Sequence, residues 1–235
     1  MNAEIVPLPR RAAAVVGDVV STPLSPWVGR GTVDEWGRDE HVIAMIAPLT
    51  KLRWSVSVGG IEHLPSRTGA LLVTNARRWS LSTVYTALAL SEASGRPVRF
   101  VGRPDISPVG PFMRRIGGLL ARPDEVEGAL REHQLVVVST GATRNPRHAG
   151  AVDPAYIRAA MVTRTTIHPV ASMSSPIARG ARVEVGPVQR TRRKRRGPLA
   201  EIELAEAVQH HLQRMLDGLG GLQTGVAPID FLAEG

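Results

Sequence analysis

The stretch ALLVTNARRWSLSTVYTALAL, residues 70–90, limits the fold more than any other part of the chain. It joins a short apolar run, Ala70 to Thr74, to a helical segment from Leu81, leaving only Asn75 to Ser80 between them. The length and β-branched content of the first part predict a buried strand. A sharp strand-to-helix turn is where an α/β protein presents side chains to a ligand, because the carboxyl ends of its strands open onto a crevice. This turn holds no His, no Cys and no carboxylate.

Other segments repeat the alternation. Trp36, Val42, Ile43, Met45, Ile46 and Leu49 recur at helical spacing and predict one amphipathic helix over 35–51, or two interrupted at Pro48. Packing against the domain is the expected use of its apolar face, with a membrane interface as the alternative. Strands are predicted over 53–58, 98–101, 135–138, 166–171 and 181–185, with a strand fragment at 119–121. Helices are predicted over 109–116, 124–132, 154–163 and 202–216, the second helped by Pro123 and two acids in its first turn. Strands alternating with helices predict an α/β layered fold. Residues 1–34 read as a flexible arm, 35–219 as the domain and 220–235 as a mobile tail.

Composition narrows the functions. With 235 residues and 43% hydrophobic content the chain has ample core for one sizeable domain. The absence of cysteine removes disulfides, thiolate metal sites and cysteine nucleophiles, and suits a reducing compartment. No run of about eighteen apolar residues occurs and the first twenty lack a secretory-signal core, so a cytoplasmic protein, soluble or peripheral to a membrane, is expected. A net charge of +8 reflects either an arginine-rich coding bias or a polyanionic partner. The run RTRRKRR (Arg190, Arg192, Arg193, Lys194, Arg195 and Arg196 around Thr191) suits an anionic leaflet, each basic residue contributing about 1 kcal/mol near the surface. Nucleic acid is the weaker alternative: no zinc spacing or RNA-binding motif accompanies the run, and 4% aromatic content offers few stacking platforms.

The order of four blocks carries a family resemblance. They are the Asn75 turn after the apolar strand; Arg103, Pro108, Gly110 and Gly117-Gly118; Ser139 to Arg144 after the strand Leu135 to Val138; and Ile167-His168-Pro169-Val170. Over Trp36 to Leu216 this succession resembles the glycerolipid acyltransferase family, the PlsC-type or lysophospholipid acyltransferase domain. The resemblance implies a central mixed sheet flanked by helices, a coenzyme A or acyl-carrier-protein thioester as acyl donor, and no resident cofactor. It also implies a catalytic His after the Asn, orienting to an Asp five residues later. This chain has Ala76 and Leu81 at those places. A methyl group cannot take a proton, and losing such a residue in comparable constellations costs on the order of ten thousandfold in rate. A non-catalytic relative that binds acyl or phosphate-bearing ligands, or supports a protein partner, is therefore expected.

The alternatives stay open at this point. His148 and Asp153 repeat the family's His-to-Asp spacing after the wrong strand, and a rearranged enzyme would need His148 or His168 beside a carboxylate. Ser80 and Ser82 lack a nearby base and read as helix caps. His41, His63 and His133 stand singly, and the adjacent His210 and His211 point apart on a helix, so no metal site is expected. Arg77, Arg78, Arg103, Arg144 and Arg147 fall in the loops after the strands, where guanidinium forks would bind phosphate; the resemblance gives Arg103, Gly141 and Arg144 to the acceptor-binding site.

Overall fold

The computed structural model describes residues 33–77, 81–145, 147–174, 179–190 and 197–219, with Arg77 described for its backbone only. The predicted arm up to residue 32, Arg78, the basic run from 191 to 196 and the tail from 220 lie outside the described residues.

Seven strands form one sheet: β1 (Ser55–Gly59), β2 (Ala70–Arg77), β3 (Val98–Arg103), β4 (Gly118–Leu120), β5 (Leu135–Thr143), β6 (Thr166–Ser174) and β7 (Gly180–Val185). Their order is β1-β7-β6-β2-β5-β3-β4. The five from β6 to β4 run parallel, β7 is antiparallel to β6, and β1 is parallel to β7. The predicted mixed α/β sheet is thus present.

Side chains alternate across each strand, so the sheet has two cores. On one face Ala70, Leu72, Phe100, Leu135, Val137 and Val170 pack with Val42 of α1 (Glu40–Arg53), Tyr85 and Leu90 of α2 (Ser82–Ser94) and Met113 of α3 (Val109–Arg115). On the other, Leu71, Val73, Val136 and Val138 pack with α4 (Pro123–Arg131), α5 (Pro154–Thr163) and α6 (Pro198–Leu219) through Val126, Ile157 and Leu204. Ala70 to Val73 and Leu135 to Val137 are fully buried, as strands covered on both faces must be.

Three local predictions need correction. The first helix begins at Glu40, because the Asp39 carboxylate accepts from the N–H groups of His41 and Val42 and ends the preceding turn. Trp36, expected on that helix, instead lies against Gly128 of α4 and donates from Nε1 to Glu132 (2.6 Å). Of the two readings at Pro48 the single helix is the one seen, running through the proline to Arg53. β5 extends to Thr143, where a loop was expected from Ser139, because a bulge lets Ala142 pair with Ala76 after Ser139 has paired with Thr74.

Segment 33–39 closes the β3–β4 edge through buried charge. Arg99 in β3 is 1% exposed and ion-pairs with Asp34, while its Nε donates to Gln134. Arg38, also buried, donates from Nη2 to Ser91 (2.9 Å), and its Nε lies 3.0 Å from Glu40 at an angle that makes no hydrogen bond. Both arginine stems run close to Gly117, whose φ of +97° would strain any side chain and where a Cβ would lie 3.2 Å from Val98 O. Asp34 also accepts from the N–H groups of Trp36 and Arg38. Removing this carboxylate strands a buried guanidinium, so Asp34→Ala should lower the unfolding free energy by about 3 kcal/mol in urea titration. An unchanged midpoint would show that the pair carries little.

Candidate functional site

The strand order β2-β5-β3 brings three of the sequence blocks to one edge of the sheet: Ala76 on β2, Gly141 to Thr143 on β5 and Arg103 at the end of β3. At the head of β2, Asn75 is 4% exposed and does the work of a backbone unit. Its Nδ2 donates to Ser172 O and its Oδ1 accepts from Ser172 N, both at 2.8 Å, continuing the β2–β6 ladder beyond Thr74 and Val170. The Ser172 hydroxyl lies 2.5 Å from Tyr85 Oη and accepts from Thr86 Oγ1 (3.0 Å). Burial raises the Tyr85 phenol above its ordinary value, against the opposing effect of hydrogen bonds with Ser172 and Ser174. Tyr85 also stacks at a tilt on Trp54. Sequence reading found Asn75 but missed Ser172. The available signal was Ser172 and Ser174 alternating with Ala171 and Met173 in an otherwise apolar run.

The positions that resemblance gives to a base and its partner are bare. Ala76 pairs with Ala142 across β5, and Leu81 is exposed at the start of α2. Arg103 is mostly buried, with Nη2 3.8 Å from Glu125 Oε1 on α4 and its Nε buried without a partner. Arg144 and Gly141 are exposed. Gly141 N donates to Ala151 O (2.7 Å), and Gly150 comes so close to Gly141 O that a Cβ there would collide at 1.8 Å. Gln213 of α6 fastens the same loop, accepting from Ala149 N and donating to Arg147 O, both at 2.9 Å.

His148 is exposed on this loop, and Asp153 accepts from Ala155 N (2.8 Å) as the N-cap of α5. No hydrogen bond or ion pair joins the two among the described residues. His168 pairs with Leu72 inside β6, four residues before Ser172, which sets it back from the edge by roughly 13 Å. Its Nδ1 donates to Gly186 O (3.1 Å), and its Nε2 is buried without a partner. Burial holds its pKa below the ordinary value; the Gly186 bond pulls the other way and His63 adds to the lowering. Among the described residues, no group of three or more His, Asp or Glu could hold a metal ion.

Two measurements probe these contacts. Asn75→Ala leaves Ser172 N–H and C=O unpaired in the interior and should cost about 2–3 kcal/mol in denaturant titration; a loss near zero would mean that the ladder closes without it. His168 binds protons less readily folded than unfolded, so its contribution is present above about pH 6.5 and is lost as pH falls toward its lowered folded pKa. Between about pH 7 and 5 the wild type should lose more stability than His168→Asn, and parallel curves would contradict a buried neutral imidazole.

No protein-family profile matches the chain, and no curated protein matches it. Among solved structures, it is similar to the 1-acyl-sn-glycerophosphate (LPA) acyltransferase PlsC from Thermotoga maritima, with 14% sequence identity and a TM-score of 0.57, covering 79% of this chain and 80% of that one. With its seven-stranded mixed sheet between two helical layers, this chain has the PlsC acyltransferase fold.

Proposed function

We propose that this acyltransferase-like domain binds an acyl or phosphate-bearing ligand, a phospholipid or a thioester donor, at a membrane surface without transferring the acyl group. Ala76 carries this reading: a methyl stands at the head of β2 where the resemblance calls for the proton acceptor, with Leu81 in place of the orienting acid. The surrounding geometry supports it. The one imidazole shielded inside the sheet, His168, lies back from this edge, and Asp153 is occupied as a helix cap. Arg103 retains an unpartnered Nε at the end of β3, while Gly141 lies on the neighbouring strand β5 and Arg144 follows it. Guanidinium groups keep their charge at any working pH, so phosphate affinity can outlast loss of the base. No helix among the described residues is long and apolar enough to cross a membrane.

In a thiol-release assay with acyl-coenzyme A and lysophosphatidate, the protein should give no turnover above the blank. Lysophosphatidate should nonetheless raise its melting temperature, and Arg103→Ala should weaken that binding by about tenfold or more, the scale of a charge-assisted hydrogen bond. Turnover abolished by His148→Ala would establish the rearranged enzyme instead. Equal affinity in wild type and Arg103→Ala would remove the phosphate-binding reading.

A further inference from the structure

Two exposed apolar ridges lie on the α1–α3 side of the sheet. On α1, Met45, Leu49 and Leu52 follow one another at helical spacing and are 62%, 66% and 66% exposed, with exposed Ala44 and Pro48 alongside. Along α3 and the turn before it, Ile106, Val109 and Phe112 repeat every third residue and are 64%, 45% and 47% exposed. The inner sides of both helices enter the same core: Val42, Ile43 and Ile46 from α1 join Met113 from α3. Asp39 N donates to Arg115 O (2.8 Å), tying the start of α1 to the end of α3. The ridges therefore point away from the same face of the sheet. On the opposite layer the exposed large apolar residues, among those described, are fewer: Val162 on α5 and the pair Leu199 and Ile202 on α6.

Charge divides the same way. Helices α1, α2 and α3 carry four Lys or Arg against two acids, Glu40 and Glu92. Helices α4, α5 and α6 carry three Arg against seven Asp or Glu. The α1 ridge ends beside exposed Lys51, Arg53 and Arg179, the last donating to Lys51 O (2.8 Å). Among the described helices, the α1–α3 layer thus carries net positive charge with exposed apolar side chains, and the α4–α6 layer carries net negative charge.

We propose that the α1–α3 layer is the surface with which this domain lies on an anionic phospholipid bilayer. Met45, Leu49, Leu52 and Phe112 enter the headgroup boundary, and the cations around them remain at the phosphate level. A water-soluble protein partner would not require this charge division, whereas a negatively charged leaflet attracts the basic layer and repels the acidic one, which sets the orientation. The inference rests on the membrane reading above but not on the phosphate site, so the two can fail separately.

The experiment is co-sedimentation of the full chain with phosphatidylcholine vesicles, with and without phosphatidylglycerol. Binding should require phosphatidylglycerol and weaken with added salt. The triple variant Met45→Glu, Leu49→Glu, Leu52→Glu should bind about tenfold or more weakly, and Phe112→Asp should weaken binding independently through α3. The control Val162→Glu, Leu199→Glu, Ile202→Glu on the opposite layer should leave it unchanged. These side chains are exposed, and a retained thermal transition confirms that each variant folds. Equal losses from both layers, no vesicle binding, or a preference for duplex DNA over vesicles would overturn the proposal. So would a ridge variant that lost self-association in sedimentation velocity while keeping its vesicle binding. Binding of a soluble short-chain lysophosphatidate without vesicles isolates the phosphate site from this surface.

Discussion

Burial of β2 and β5 on both faces is the constraint that organises this chain. Ala70 to Val73 and Leu135 to Val137 expose nothing to water, so each side of the sheet needs its own helical cover. Two cores result, one closed by α1, α2 and α3 and the other by α4, α5 and α6. Since the parallel strands from β6 to β4 share one direction, their carboxyl ends gather at one edge. The same arrangement that hides the apolar side chains therefore assembles Asn75, Ala76, Arg103 and the Gly141 loop, which are far apart in the chain.

At that edge, polar capacity is spent on structure. The Asn75 amide is consumed by Ser172, whose hydroxyl is consumed in turn by Tyr85 and Thr86. A network satisfied in this way favours rigidity over proton transfer, because each donor already has an acceptor. Arg103 differs in keeping a buried N–H without a partner.

Much of this was legible in sequence because apolar runs report burial directly. Ala70 to Thr74, Leu135 to Val138 and Thr166 to Ala171 all mark strands, and the alternation of elements marks the α/β class. Other features depended on partners distant in sequence. Trp36 has the spacing of a helical residue but is drawn to Glu132 and Gly128 on α4. Arg99 looks like a surface residue of an edge strand until Asp34 supplies its counter-charge. The extension of β5 depended on a bulge that propensity does not encode, since Gly141 reads locally as a loop residue. The site's blocks were visible in order, yet their meeting at one edge followed only from the strand permutation. Ser172 was hidden for a similar reason: a serine in a strand gains significance only when another strand brings an amide to its backbone.

The two arginine stems beside Gly117 join parts of the fold that secondary structure leaves separate. Asp34 holds Arg99 of β3, Arg38 holds Ser91 of α2, and the same short segment leads into α1 at Asp39. Local opening of that corner would expose two charged side chains and uncover the ends of a helix and a strand together. One short segment thus couples the margins of α1, α2 and β3, so that loss of the Asp34 carboxylate would loosen all three together.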